Sequence, residues 1–242
     1  MIIKTAGIIL HSFKYAETSI IARIYTRELG LQSYLVPGVR KSRAKIKQNL
    51  FQPLCILDLI VYHKEREGLH RIKEINCPKP YSSLPYDIQK TSIAIFLAEI
   101  MQHALKNQEA SPSLFDFLQE SFHHLDSTTE KIADFHLFFL VQLSRYLGFQ
   151  PRNNYDVSCC YFNLQEGVFQ RSPGHPDVCL DQSLSKHFRD ILNADVLLSD
   201  SLVIPGSCRK ELLKKIVDYF RYHLAGMPEV KSRGILETVL HP

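Results

Sequence analysis

Residues 19–38 read SIIARIYTRELGLQSYLVPG, and this segment decides the fold. It contains two stretches rich in β-branched and aromatic residues, which are separated by Leu29-Gly30 and ended by Pro37-Gly38. Successive strand residues point to opposite faces, so the first stretch has an apolar face and an opposite face that carries Arg23 and Tyr25. The apolar face consists of Ile20, Ala22 and Ile24. The segment therefore predicts two short strands separated and ended by turn signals.

Three further strand-like stretches flank these two strands, at residues 8–13, 54–63 and 69–75. In the last of them, Ile72 faces away from Arg71 and Lys73. Five short strands in one small region avoid open edges by closing into a barrel, and the OB-fold is the common five-stranded form. An SH3-like barrel has a similar strand pattern, so the pattern alone does not distinguish between the two barrel types.

After Cys77-Pro78-Lys79-Pro80 the hydrophobic period becomes helical. One helix is predicted to begin after a Ser111 cap, with Pro112 at its first position. The other predicted helices cover residues 93–104, 129–147, 184–192 and 208–225. Residues 129–147 are apolar on nearly every side, which predicts a buried central helix. A glycine-containing turn within residues 161–169 predicts a β-hairpin.

These patterns together predict an α+β protein of two domains. Residues 1–78 form the five-stranded barrel, for which we expect the OB-fold. Residues 79–242 form a mainly α-helical domain with a small β-hairpin insertion near residues 155–180.

The net charge of the chain is unevenly distributed. The whole chain carries +4, but residues 1–80 contain eight Lys and six Arg against five Glu and one Asp, a net of +8. The remaining residues carry 15 basic and 19 acidic side chains, a net of −4. A basic first third joined to a mildly acidic remainder indicates a polyanionic partner at the basic end.

The strongest local signal is the basic loop, residues 40–47, which has five cations and no acidic residue. It lies between the third and fourth predicted strands. Clusters of this kind bind phosphate backbones because each neutralised phosphate releases condensed counterions. Unpaired bases also need aromatic faces, for which the barrel offers Tyr15, Tyr25, Tyr34, Phe51 and Tyr62. The alternative is a solvated loop above aromatic side chains that fill the core.

A second basic feature is a stripe on the last long helix. Its members are Lys210, Lys214 and Arg221, with Arg209 and Lys215 beside them. A charged helix face opposite an apolar one normally serves solubility. The alternative is an auxiliary site for DNA or for an acidic protein tail.

Four residues within a short stretch raise the question of a zinc site, namely Cys159, Cys160, His175 and Cys179. Four nitrogen and sulfur ligands can form a tetrahedral zinc site. The adjacent pair of cysteines does not have the usual two-residue spacing, so we expect ordinary packing and no cofactor. The other three cysteines are isolated in sequence.

Familiar catalytic motifs are missing from the sequence. The closest two glycines are seven residues apart, which excludes the standard Walker loop and the dinucleotide fingerprint. His63-Lys64-Glu65 matches one fragment of the zinc deaminases, but their second motif has no counterpart. We therefore expect a protein that is not an enzyme.

The longest uninterrupted apolar run is six residues, Ile93 to Ala98, whereas a membrane-spanning helix needs about 18 or more. The apolar stretch near the N-terminus is too short for a secretory signal. We therefore expect a cytoplasmic, nucleoid-associated protein with reduced cysteines.

Several ordered motifs of the first 75 residues resemble those of one family, the bacterial DNA repair protein RecO. The matching segments are Gly7-Ile8-Ile9-Leu10, Tyr15-Ala16-Glu17, Tyr25-Thr26-Arg27-Glu28-Leu29-Gly30, Pro37-Gly38-Val39-Arg40-Lys41-Ser42-Arg43, Leu50-Phe51-Gln52-Pro53-Leu54 and Leu69-His70-Arg71. Near the C-terminus, Lys231-Ser232 followed by Ile235-Leu236 is similar to the family's ending. The resemblance implies an N-terminal OB-fold, a helical domain and, in many members, a zinc-binding insertion.

The resemblance also implies a function. Members of the family bind single- and double-stranded DNA, anneal complementary strands, and act with RecR and single-strand-binding protein to load the RecA recombinase. The matching motifs assign DNA binding to Arg27, Arg40, Lys41, Arg43 and Arg71. Charge and strand face add Arg23, Lys45, Lys47 and Lys73. The zinc-bearing members have two Cys-x-x-Cys pairs, which this sequence lacks, so its hairpin is expected to be a degenerate form of their zinc finger.

Two other classes of function stay open. An adaptor could use the same cations to recognise an acidic protein partner. A nuclease would need carboxylates grouped near the basic face, and Glu17, Glu28, Asp58 and Glu74 are dispersed in sequence.

Overall fold

The computed structural model describes residues 1–41, 44, 46–64, 68–194 and 204–240. The chain forms two compact units, Met1–Ser127 and Thr128–Pro242. The expected boundary at residue 78 coincides with the change from strands to helices. The first compact unit continues beyond that point through two helices.

The first unit begins with a closed barrel, which confirms the predicted OB-fold. Its strands are β1 (Ile2–Tyr15), β2 (Ser19–Thr26), β3 (Gly30–Val36), β4 (Ile56–Tyr62) and β5 (His70–Asn76). They follow the order β1-β2-β3-β5-β4, and a short parallel pairing between β3 and β5 closes the barrel. A short 3-10 helix, Gln48–Phe51, precedes β4.

The barrel interior is apolar, as the alternation in β2 predicts. Its buried cluster includes Ile20, Ala22 and Ile24. Gly7 lies where β1 crosses this cluster, and a Cβ atom there would approach Ile24 Cγ2 to 2.6 Å and Leu59 Cδ1 to 2.9 Å. Interiors tolerate extra methyl groups poorly, so glycine is required at this position by packing.

Strand β1 is longer than predicted and contains a bulge. After the bulge, the side chains that would point into the barrel point outward, and the reverse. The register with β2 shifts between Ile9 and His11. Beyond the shift, Ser12 is paired with the inward Ala22 and donates a hydrogen bond to the Phe51 carbonyl at 3.0 Å. Phe13 is consequently paired with Ile21 on the outer face. A bulge inserts one extra residue, so every later side chain of β1 exchanges faces.

Two helices complete the first unit, α1 (Ile88–Ala104) and α2 (Pro112–Ser127). The Asp87 side chain caps α1 by accepting hydrogen bonds from the Gln89 and Lys90 amides at 2.8 and 3.0 Å. Ser111 caps α2, since its Oγ accepts from the Leu114 amide at 3.3 Å. The predicted serine cap followed by Pro112 is therefore confirmed.

The second unit contains four helices and a hairpin in its described part. These elements are α3 (Phe135–Tyr146), β6 (Tyr161–Asn163), β7 (Val168–Gln170), α4 (Gln182–Asn193), α5 (Gly206–His223) and α6 (Arg233–Leu240). Nine of the twelve α3 residues are buried, which confirms the central helix, although α3 starts six residues later than predicted. Gly167 has a φ of +66°, as the predicted hairpin turn requires. Helix α6 was not predicted.

Among the helices that the structure describes, none is both long and apolar enough to cross a bilayer.

Candidate nucleic-acid interface

The outer barrel face carries a continuous line of five side chains, which we call the cross-strand row. Its members, taken across β1, β2, β3, β5 and β4, are Phe13, Ile21, Leu35, Arg71 and Tyr62. Each is the Cα partner of the next, so neighbours in the row share one face of the sheet. Phe13 and Tyr62 are 43% and 44% exposed, and Arg71 is exposed. The row therefore offers a cation and two accessible rings along a line that crosses the strands.

The five aromatic residues proposed from sequence divide into two groups. Tyr15 and Tyr62 are exposed, whereas Tyr25, Tyr34 and Phe51 are buried. Burial raises the pKa of the Tyr34 hydroxyl, as expected for a ring inside the barrel.

Tyr25 points outward as predicted, but its ring stacks on Phe115 of α2, with the centroids 6.3 Å apart. Tyr25 is therefore not available to a ligand.

Phe13 is an exposed ring that the sequence did not indicate as a site residue. Strict alternation from the inward Ile9 would place Phe13 inside the barrel. Only the bulge places it outside. A sequence signal for this arrangement would be His11 at an otherwise inward position, because a polar residue there conflicts with the barrel core.

A second line of residues lies next to the cross-strand row. It consists of His11, Arg23 and Ser33, which are Cα partners across β1, β2 and β3. Arg23 is half-buried, and its predicted outward direction is confirmed by the burial of its strand neighbours.

On β5, Arg71 and Lys73 are exposed and Ile72 packs against the core. The register with β4 shifts at Lys73, whose ammonium forms an ion pair with Glu74 at 3.5 Å.

The basic loop begins beside the β1–β2 turn. The Arg40 amide donates to the Thr18 carbonyl at 3.1 Å, and its Nη1 donates to the Glu17 carbonyl at 2.9 Å. Lys41 and Lys47 are exposed, and Arg43 and Lys45 lie outside the described residues. Lys14 is an additional exposed cation at the end of β1, next to this turn. Arg40, at the start of the loop, therefore lies at the end of the barrel where β1 turns into β2.

Arg27 pairs with a carboxylate on a helix of the same unit. Its guanidinium forms a two-point ion pair with Asp116 of α2, in which Nη2 lies 3.1 Å from Oδ2. The guanidinium also lies 5.9 Å from the centre of the Phe115 ring. This arrangement joins the barrel to α2 and directs the charge of Arg27 towards a carboxylate of the protein itself.

Three of the five cations of the stripe and its flanks pair with carboxylates. Arg209 Nε lies 2.5 Å from Asp134 Oδ1, and the Lys215 ammonium is buried and donates to the Pro176 carbonyl. Lys210 pairs with Glu237 at 3.4 Å, and Arg221 pairs with Asp218 at 3.7 Å. Lys214 is exposed.

The residues proposed for zinc do not form a tetrahedral donor set. Cys160 accepts a hydrogen bond from Gln182 Nε2 at 3.3 Å, and Cys179 Sγ lies 3.5 Å from the Leu180 carbonyl. His175 is exposed and interacts with Asp177. No three His, Cys, Asp or Glu side chains converge within the part of the chain that the structure describes. The residues present therefore do not fit the zinc site that the family resemblance implies for many members.

These features define a class of protein, an OB-fold barrel with cations and rings on its outer face followed by a helical region. Residues 1–81 match the family model described as recombination protein O N terminal, and residues 85–233 match the recombination protein O C terminal model. The chain is similar to proteins named DNA repair protein RecO, at 35% identity in Flavobacterium psychrophilum, 34% in Christiangramia forsetii and 33% in Phocaeicola vulgatus. Each comparison covers 99% of both chains. The chain therefore belongs to the recombination protein O family.

Proposed function

We propose that this protein is a DNA repair and recombination mediator that binds single- and double-stranded DNA through its barrel. The relatives named above are DNA repair proteins. The single observation that carries the proposal is the cross-strand row, because it aligns exposed rings with a cation on the outside of an OB-fold barrel.

The chemistry of this face suits nucleic acid. Bases stack on aromatic rings without regard to sequence, for which Phe13 and Tyr62 are exposed. Arg71 in the row and the described cations of the basic loop can neutralise phosphates. Arg27 is left out of the proposed surface because Asp116 already holds it.

The proposed mechanism involves no covalent step. A basic surface that neutralises phosphates of two strands lowers their mutual repulsion and so favours annealing. The helical region would dock RecR and single-strand-binding protein, and release of DNA to the RecA recombinase would follow. We expect this activity in the cytoplasm, in association with the nucleoid. We expect no bound zinc, so elemental analysis of the purified protein should give less than one zinc per chain.

The test compares two triple variants by fluorescence anisotropy with single-stranded oligonucleotide at several salt concentrations. In Arg40→Ala/Lys41→Ala/Arg43→Ala, we expect weaker binding and a salt slope smaller by about 2, since each phosphate contact contributes about 0.7. The matched control is Lys210→Ala/Lys214→Ala/Arg221→Ala, which removes the same number of cations from α5. Its salt slope should change by less than about 0.7.

An unchanged slope in the loop variant would remove the basic loop from the binding surface. Binding of an acidic peptide without any affinity for oligonucleotide would instead favour the adaptor function. An annealing assay with complementary oligonucleotides on the same preparations tests the mediator step, which the loop variant should slow.

A further inference from the structure

Four nitrogen-bearing side chains lie on β1, β2 and the end of α1, and α1 packs against β1. His11 of β1 and Arg23 of β2 are Cα partners and share the outer face. Helix α1 packs against β1, and His103 lies in its last turn, with Lys106 just beyond the helix end. His11 and Lys106 are exposed, and Arg23 and His103 are half-buried. The four groups therefore lie on β1, β2 and the end of α1, and His11 and Arg23 are directly paired.

The electrostatic environment links these groups into one site. Burial and then the charge of Arg23 lower the pKa of His11, and the Glu99 carboxylate opposes this change. Burial also lowers the pKa of His103, where Glu99 again opposes the change and Arg23 and Lys106 add to it. Both imidazoles thus respond to the same guanidinium and the same carboxylate, in agreement with their positions on β1 and α1.

This cluster adjoins the cross-strand row. Arg23 lies two residues from Ile21 along β2, about 7 Å at the usual rise of a strand. The His11 ring lies next to the Phe13 ring, with the centroids 5.8 Å apart. A DNA strand with a base on Phe13 would therefore have its neighbouring phosphate close to His11 and Arg23.

We propose that His11, Arg23, His103 and Lys106 form a second phosphate subsite, which binds a phosphodiester of the strand held on the cross-strand row. The subsite rests on the proposed function, since its ligand is DNA. Arg23 and Lys106 supply permanent charge, and the imidazoles supply charge only when protonated. Glu99 is the acidic group that faces both imidazoles, and it opposes the binding of an anion.

A phosphate in the subsite makes binding dependent on pH. Its negative charge raises the pKa of both imidazoles in the complex relative to the free protein, so binding takes up protons. The additional affinity is fully present below the free-protein pKa values. It is lost as the pH rises through the higher values of the complex.

The first test measures the affinity for fluorescent oligo(dT) at pH 5.5, 6.5 and 7.5 at constant ionic strength. For the unmodified protein we expect affinity to rise by about fivefold from pH 7.5 to 5.5, as two exposed charge pairs form. In His11→Gln/His103→Gln the rise should be less than about twofold. The matched control is His123→Gln, because burial also lowers the pKa of His123 but its neighbours are Lys79 and Asp126. This control should keep the full rise.

The second test uses the unmodified protein and does not depend on the folding of a variant. NMR titration of the His11 and His103 ring signals with and without oligo(dT) should show higher midpoints for both in the complex. Binding with unchanged midpoints, or an equal rise in affinity in the double variant, overturns the subsite but leaves the proposed function intact. A failure of oligo(dT) to bind at every pH overturns both.

Discussion

The outer barrel face and helix α5 both contain closely spaced cations, but the two regions use them differently. On the barrel, Arg71 and Lys41 are exposed, and the described hydrogen bonds of Arg40 go to backbone carbonyls. On α5, Lys210 and Arg221 pair with carboxylates. The density of cations in a sequence therefore does not measure the positive charge that a surface can offer to a ligand.

The difference is which cations form an ion pair with a carboxylate of the protein itself. Arg209 of α5 is paired with Asp134, and both side chains are only 14% exposed. Arg27 of the barrel has the same type of partner in Asp116, although that pair is more exposed. Pairing with a carboxylate, and not position within the basic residues 1–80, separates the cations that stabilise the fold from those that could bind DNA.

The largest expected effect concerns the cations that stabilise the fold through an ion pair. Replacement of Asp134 by Ala removes the carboxylate that pairs with the Arg209 guanidinium in a mostly buried position. We expect the free energy of unfolding to fall by about 3 kcal/mol, because removing one partner of a buried ion pair is strongly destabilising. Urea denaturation followed by circular dichroism measures this change.

The control for this variant is Asp218→Ala, which removes the partner of the half-exposed Arg221. Exposed pairs contribute little, so the expected loss is below about 1 kcal/mol. Equal losses in the two variants would mean that burial does not distinguish the Arg209 pair from the other pairs on α5.

The next largest effect concerns Phe13 in the cross-strand row. In Phe13→Ala we expect the affinity for single-stranded oligonucleotide to fall about tenfold, because a stacked base contributes about 1–3 kcal/mol. Affinity for a duplex of the same length should fall less than about twofold, since its bases are already stacked on one another. Anisotropy titrations with both DNAs measure the difference.

Tyr86→Ala is the control for Phe13, because Tyr86 is an 84% exposed ring of the same unit that lies outside the row. It should leave both affinities unchanged. A fall of the same size for duplex and single strand in Phe13→Ala would show that Phe13 acts through the shape of the barrel and not through stacking.

Much of the fold could be predicted because its signals are local. The alternation in β2, the turn glycines and the Ser111-Pro112 cap each depend on a few neighbouring residues. The bulge in β1 could not be predicted in this way, because it depends on pairing with β2. The predicted start of α3 was also wrong. The Asp134 that precedes this helix pairs with Arg209, which is far away in the sequence.

The candidate site was predictable in part for the same reason. The basic loop is visible in sequence as a run of cations. The cross-strand row is not, because Leu35 and Arg71 become neighbours only through the parallel pairing that closes the barrel. The sequence motif also assigns DNA binding to Arg27, and no local pattern reveals that Asp116 lies beside it. The assignment of Arg27 stays a prediction.

Arg27 provides the smallest expected effect and the strictest test of the comparison. If pairing removes a cation from the binding surface, Arg27→Ala should change the affinity for single-stranded oligonucleotide by less than about twofold, since only the screened charge of an exposed ion pair is lost. The midpoint of urea unfolding should decrease slightly because the link to Asp116 and Phe115 is lost.

Arg71→Ala, which removes an exposed arginine of the row, should instead weaken binding severalfold. If Arg27→Ala weakens binding as much as Arg71→Ala, the ion pair with Asp116 must open when DNA binds, and pairing in the free protein would no longer separate structural from DNA-binding cations.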